Sequence, residues 1–259
     1  MQAQILTAAD LARNAPAIFA TRAHESRKEH YGFVSTSEII DTLAHDGWVP
    51  SYVGLRRART EKSKLYGSHT LRLRRIDAPT DGEGIPEIVL RNGHDGSSAI
   101  VGRLGYFRFV CANGMVAGQT IAGFRIFHGR DALANTRQAV ARLIERAPDM
   151  ISQIDAMRAK VLSDDARTSF ARDAIALRWP EGDAPVNANE LLFTRRFADD
   201  GTTDVWTTAN IIQEHLVRGG DRGMTSTRRR MTTRALSSQV ALMAVNQGVW
   251  DLAVKYLSA

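Results

Sequence analysis

Cysteine is almost missing from this chain: Cys111 stands alone among 259 residues, which excludes an internal disulfide and any zinc site built from several thiolates. At the end of an apolar strand, with no partner base in view, Cys111 reads as a small buried hydrophobe. A Gly-Lys-Ser/Thr phosphate loop is absent, and so are the His-x-His and His-Glu-x-x-His metal spacings. His24, His30, His45, His69, His128 and His215 are scattered, and Gly102-x-x-Gly105 is too short for a dinucleotide fingerprint. The first twenty residues break their apolar character with Asp10, Arg13 and Asn14, a pattern of neither a signal peptide nor a membrane span. The expectation is a cytoplasmic protein with no membrane partner, no cofactor, no metal and no enzymatic centre.

Acid is scarce where base is dense. Between Leu55 and Ile76, Arg56, Arg57, Arg59, Lys62, Lys64, Arg72, Arg74 and Arg75 face the single acid Glu61. A second cluster, Arg218, Arg222, Arg228, Arg229, Arg230 and Arg234, faces only Asp221. The whole chain carries a net charge of +6, which favours polyanionic partners, and its 44% apolar content suffices for a substantial core with a smaller appended unit.

Periodicity sets out the elements. Ser35 followed three residues later by Glu38, then Ile39, Ile40 and Leu43, predicts a capped helix to about Trp48. From His69 to Ile76 the period becomes two, with Leu71 and Leu73 opposite Arg72 and Arg74. A loop from Asp77 to Pro86 leads to a strand over Glu87 to Asn92, and Asn92-Gly93-His94-Asp95-Gly96 supplies turn residues that account for His94 and Asp95 better than a metal or hydrolytic site does. Ser97 to Val110 alternates again, with Gly102 and Gly105 marking a bulge or bend between two strands. Asn113-Gly114 marks another turn, and Ile121 to His128 sets Phe124 and Ile126 opposite Arg125 and Phe127. Helical spacing follows from Ala132 to Ile175 with a break at Pro148, then over Asn187 to Phe193, Asn210 to Val217 and about Arg234 to Leu257. The last helix is expected to bury Leu236, Val240, Met243, Trp250, Ala253 and Tyr256, while Gln247 and Gly248 interrupt its apolar face.

The fold class is therefore α+β, a central, mostly antiparallel sheet with long helices on one face and a helical carboxyl-terminal section. The division expected is 1–180 for the core domain with its basic sheet face and 181–259 for the helical section with a basic loop. The candidate nucleic-acid contacts are Arg56, Arg57, Arg72, Arg74, Arg91, Arg103, Tyr106, Arg108, Arg125, Arg228, Arg229 and Arg230. Guanidinium forks suit phosphate oxygens, and Tyr106 and Phe127 interleaved with them offer rings for bases. The plainer reading is a solvated face of paired ions. For Gly219 to Arg234 it is an unstructured surface loop, and the functional one an arm that orders over a nucleic-acid backbone.

Three segments carry a family likeness: Val89-Leu90-Arg91-Asn92-Gly93-His94-Asp95-Gly96-Ser97-Ser98, Phe107-Arg108-Phe109-Val110-Cys111-Ala112-Asn113-Gly114-Met115, and the run from Val205-Trp206-Thr207-Thr208 through Gln213-Glu214-His215 to Gly219-Gly220. With Asn246-x-x-Val249-Trp250-x-Leu252-Ala253 they resemble the phage- and plasmid-borne proteins of a domain-of-unknown-function family, over nearly the whole chain. In architecture the chain is also similar to single-strand annealing recombinases of the Redβ and ERF kind, which assemble into rings or filaments on DNA. The family likeness implies a mobile-element context, and with the sheet arginines and their neighbouring rings the expectation is a homo-oligomer that binds single-stranded DNA without strong sequence preference and promotes annealing in DNA recombination. The alternative is a protein-interaction module, an anti-restriction or host-takeover factor whose basic face meets an acidic partner.

Overall fold

A computed structural model describes residues 5–27, 31–55, 60–76, 84–108, 115–116, 123–194 and 201–259. Arg56, Arg57, Cys111 and the Asn113-Gly114 turn lie outside them. In chain order the elements are α1 (Ala8–Asn14), α2 (Thr36–His45), β1 (Trp48–Leu55), α3 (Glu61–Tyr66), β2 (His69–Arg75), β3 (Gly84–Asn92), β4 (Ile100–Arg108), β5 (Met115–Val116) and β6 (Gly123–Ile126). They continue with α4 (Ala132–Glu145), α5 (Ala147–Ala159), α6 (Asp164–Ala176), α7 (Val205–Arg218), β7 (Arg222–Met224), β8 (Arg230–Thr232) and α8 (Gln239–Ser258). The fold is α+β, an antiparallel sheet followed by a helical carboxyl-terminal section. Among the described residues no helix is long and apolar enough to cross a membrane.

Two compact units emerge, Met1–Ala112 with Gln119–Ala147, and Asn113–Gly118 with Pro148–Ala259. The main division between these units falls at Ala147/Pro148.

In the first unit β1, β2, β3 and β4 pair antiparallel in chain order, and β6 pairs with β4. Period-two alternation gives the sheet one apolar face, on which Leu71, Leu73, Ile88, Leu90, Ile100 and Leu104 are all buried. Helix α2 packs on β1, and α4 packs on β4 and β6. The Ser35 hydroxyl accepts the Glu38 amide at 3.3 Å, so the cap read from sequence sets the start of α2. Strand β4 is continuous where a bulge at Gly102 and Gly105 was expected, because its pairing with β3 runs unbroken from Gly84 opposite Arg108 to Arg91 opposite Val101. Gly102 is needed for a different reason: a Cβ there would meet the Phe124 ring at 2.2 Å. The irregularity in the sheet lies in β1 instead, between Pro50 and Tyr52.

The second unit is built around α7, whose residues from Val205 to Val217 are buried on every side, polar and apolar alike. Asp204 caps it by accepting the Thr207 amide at 2.8 Å, and Gly219 ends it at a φ of 61°. Trp206 and Trp250 meet edge to face between α7 and α8, and Phe170 stacks on Tyr256 between α6 and α8. Helix α8 is unbroken. Gly248 lets Leu177 approach, since a Cβ would fall 2.5 Å from its Cδ2, and Gln247 donates to Asp251 one turn on. Val240, expected in the core, is 55% exposed in the first turn of a helix that begins at Gln239 rather than near Arg234. The helix expected over Asn187 to Phe193 contracts to a 3-10 turn at Glu190–Leu192, and the loop expected over Gly219 to Arg234 is the β7–β8 hairpin.

Candidate nucleic-acid interface

The pairing register gathers most of the strand arginines. Val89 lies opposite Arg72 on one side and Arg103 on the other, while Val101 lies opposite Arg91 and Arg125. Alternation therefore places Arg72, Arg74, Arg91, Arg103 and Arg125 on the face opposite Leu71 and Ile88, and also puts Glu87 there, directly across from Arg74. Glu87 is 0% exposed. Its Oε1 accepts from Arg74 Nε at 2.8 Å and from Arg74 Nη2, and its Oε2 is 3.3 Å from Arg72 Nε. Arg72 also lies over the rings of Phe107, at 4.0 Å, and Tyr52, at 4.8 Å. Burial lowers its pKa while Glu87 opposes the shift.

The basic sheet face expected to meet phosphate is largely enclosed at Arg72 and Arg74. The side chains of Arg72 and Arg74 are only 18% and 12% exposed and are engaged by a buried carboxylate. Tyr106, 1% exposed, belongs to the apolar face with Leu104, so its ring is not presented for stacking. Arg91 Nε donates to Ser68 Oγ at 2.9 Å, and Arg103 is half-buried. Arg108 pairs with Gly84 at the end of β4, and its side chain lies outside the described atoms. Arg125 remains exposed, 5.3 Å over the exposed ring of Phe127.

The Asn92 to Ser98 turn forms as read, with Asp95 Oδ1 accepting from the Ser97 amide and hydroxyl and Gly96 at a φ of 75°. His94 does not belong to the surface of that turn. It is buried beside His69, the rings 5.4 Å apart, with Thr36 between them: Thr36 Oγ1 is 2.9 Å from His69 Nε2 and 3.4 Å from His94 Nε2, and accepts from Asn92 Nδ2 at 2.9 Å. Because His69 Nδ1 faces the Gly67 carbonyl at 3.1 Å, it carries the proton, and its Nε2 accepts from the threonine. Burial pushes His94 down to about 3 and His69 to about 4, with His69 and His128 adding to the effect on His94. His128, stacked on Tyr31, is lowered by burial too. Sequence reasoning missed this cluster because its members are spread from Thr36 to His128 with no local spacing. Among the described residues no group of three or more His, Cys, Asp or Glu is placed to hold a metal ion.

The second arginine cluster sits on a built element. In the β7–β8 hairpin Arg222 lies opposite Thr232, and Met224 opposite Arg230. Gly223 packs so closely on the Pro185 carbonyl that a Cβ would fall 1.5 Å from its oxygen. At the base His215 Nδ1 meets Asp221 Oδ1 at 2.6 Å and His215 Nε2 meets the Phe193 carbonyl at 2.8 Å, so hydrogens are required on both sides of the ring. Thr233 Oγ1 donates to Asp221 Oδ2 at 3.1 Å, and Arg178 donates to the carbonyls of Leu216 and Arg234. At the tip Asp183 Oδ1 accepts from the amide and hydroxyl of Ser226, and Arg228 is held at a φ of 63°, a region that glycine occupies more easily. Arg222, Arg228, Arg229 and Arg230 are all exposed, and residues 222–232 contain no acid. Two carboxylates, Asp183 and Asp221, are engaged in holding the hairpin. Phe193, whose carbonyl meets His215, is 72% exposed.

A family model described as a domain of unknown function, DUF932, matches residues 23–243. The chain is 32% identical over 253 residues to two Escherichia coli (strain K12) proteins, UPF0380 protein YfjQ and UPF0380 protein YafZ, with 98% of this chain and 92% of each relative covered. No solved structure matches it.

Three outcomes follow from this geometry. Glu87→Ala strands two largely buried guanidiniums and is expected to destabilise the protein by about 3–5 kcal/mol, read as a fall in urea midpoint; a midpoint like that of the wild type would show the ion pairs to be inconsequential. The unfolded chain takes up protons near pH 6.5 that folded His69 and His94 reject, so stability falls as pH drops from 6.5 towards 4. The slope is roughly 1.4 kcal/mol per pH unit for each ring, and denaturant melts at stepped pH check it. His215→Ala removes the partner of Asp221 Oδ1, costs about 1–3 kcal/mol, and should expose the hairpin amides to faster hydrogen exchange than those of α8.

Proposed function

We propose, from the premise that the chain belongs to the DUF932 family, that it binds single-stranded DNA through the β7–β8 hairpin. The observation that carries this reading is a folded hairpin presenting four exposed arginines with no acid between residues 222 and 232. Exposed guanidiniums on a fixed ribbon follow a phosphate backbone by charge, independently of sequence. The exposed ring of Phe193, tied to the hairpin base through His215, supplies a stacking platform of the kind single-strand binders use. The left-handed backbone at Arg228 favours the same reading, since such a conformation is kept at tips that present a side chain. Arg125 over Phe127 is a second exposed arginine and ring. Arg72 and Arg74, engaged by Glu87, serve the fold in this account.

The reading extends to a cytoplasmic protein of a mobile element, assembled as a homo-oligomer and acting without catalysis. Annealing by such a protein needs neither metal nor nucleotide, because duplex formation is downhill once strands are aligned and their charge is screened.

Fluorescence anisotropy with a labelled single strand and its duplex, over a salt series, tests the proposal. Affinity for the single strand should exceed that for the duplex and fall with salt. In the Arg228→Glu/Arg229→Glu variant the log–log salt slope should become shallower by about 1.4, the share of two lost phosphate contacts. Melting should stay within about 0.5 kcal/mol of the wild type, since both side chains are exposed. Unchanged strand affinity in this variant overturns the assignment, and a host protein retained after nuclease digestion with no strand binding would favour an interaction module.

A further inference from the structure

His215 is 2% exposed, and each of its ring nitrogens faces an acceptor: Nδ1 the Asp221 carboxylate at 2.6 Å, Nε2 the Phe193 carbonyl at 2.8 Å. We propose that His215 is a protonation latch. As an imidazolium it ties the β7–β8 hairpin and Phe193 to α7, and loss of its proton as pH rises above neutrality frees both. The latch rests on the strand-binding reading only in that the surface it regulates, arginine ribbon and exposed ring together, is the one assigned to strands.

The bonding pattern places the charge on the ring. A backbone carbonyl can only accept, so Nε2 carries a hydrogen. The contact at Nδ1 then needs a second hydrogen, held by the ring or by Asp221. Ordinary pKa values, about 3.9 for Asp and 6.5 for His, put it on the ring. Asp221 Oδ2 accepts from the Thr233 hydroxyl at 3.1 Å, a hydroxyl oriented by accepting the Asp221 amide at 3.0 Å, and donation to a carboxylate favours its ionised form.

A neutral ring cannot serve both acceptors. With one hydrogen left, a nitrogen lone pair must face either the carboxylate or the carbonyl, and a buried acceptor loses its donor. The other described charges of the neighbouring elements are engaged elsewhere. On α7, Arg218 Nε lies 3.9 Å from Glu214 Oε1. Arg178, just after α6, donates to the Leu216 and Arg234 carbonyls, and Glu190 beside Phe193 accepts from the Asn187 amide. On α8, Asp251 and Lys255 meet Gln247 and Asp173, and Arg222, next to Asp221, is exposed. Linkage fixes the direction: a ring that binds its proton more tightly latched than free is closed at and below about pH 6.5 and opens as pH climbs past its latched value. The arginines keep their charge throughout, so what changes is the frame that presents them.

NMR of the full chain with isotope-labelled histidine and methionine tests the latch without any ligand. At about pH 7.5 the His215 ring, identified by its absence from the His215→Gln spectrum, should carry hydrogens on both nitrogens, about one pH unit beyond the ordinary histidine value. As it loses one towards pH 9.5, the methyl signals of Met224 and Met231 in the hairpin should shift in step, while that of Met243 in α8 stays in place. A ring neutral at pH 7.5, one still doubly protonated at pH 9.5, or hairpin signals indifferent to its titration overturns the proposal. Asp221→Asn is the reciprocal probe: its side-chain amide can donate to Nδ1 of a neutral ring, so the latch closes without the extra proton and the pH response of the hairpin should vanish. A response kept in a folded Asp221→Asn chain overturns the latch as well, and the wild-type titration decides alone if that variant does not fold.

Anisotropy then reads the consequence. Strand affinity should fall about tenfold between pH 7.5 and 9.5 in the wild type, in proportion to the fraction of chains with the hairpin closed, and stay level in Asp221→Asn. The two readings fail separately. A hairpin that opens on deprotonation in a chain that binds no strands defeats the strand reading alone, whereas strand binding level with pH beside a ring neutral at pH 7.5 defeats the latch alone.

Discussion

The carboxylate of Glu87 organises the sheet. It is wholly enclosed, and the only cations the register brings to it across the β2–β3 pair are Arg74 directly opposite and Arg72 on the diagonal. A one-residue slip of β3 against β2 would carry Glu87 to the side of Leu71 and Leu73, where a bare charge has no counterpart. The ion triad thus penalises the wrong register more heavily than apolar packing alone would. It also fixes Arg72 between Tyr52 and Phe107, so a side chain that looks like a surface charge in the sequence serves as packing material.

What the sequence made legible was local. Ser35 and Glu38 announce the start of α2, the Leu71/Arg72 alternation announces β2, and Asp95-Gly96 announces its turn, because in each case the interaction that forms lies within four residues. The misread glycines show the limit. Gly102 and Gly248 look like interruptions along the chain, yet each is small because a distant side chain, Phe124 or Leu177, occupies the space. The arginine pattern misled for a related reason: alternation of Leu and Arg is the same whether the charged face meets water or a buried glutamate. The hairpin was equally hidden, since what distinguishes it from a loose basic loop is His215 reaching Asp221, Asp183 reaching Ser226 and Gly223 lying on Pro185.

The second unit turns an enclosed helix into a support for an exposed ribbon. Two polar side chains of α7 sit in the interior with partners across the unit: Gln213 donates to Asn246 of α8 at 3.0 Å, and His215 joins the hairpin base to Phe193. Arg178 closes the same junction from the end of α6. Arginines mounted on such a frame surrender little conformational freedom when a polyanion arrives, because the backbone that carries them is already ordered.

The chain passes three times between its two units, at Ala112/Asn113, Gly118/Gln119 and Ala147/Pro148. Met115–Val116 belongs with α8, which follows it far along the chain. Neither unit is thus a contiguous piece of polypeptide. A nascent chain finishes synthesising the sheet strands long before α8 exists to receive that short segment, so the second unit completes itself only once α8 has been made. Cutting the gene at the apparent boundary would yield two fragments, each carrying or lacking a part of the other.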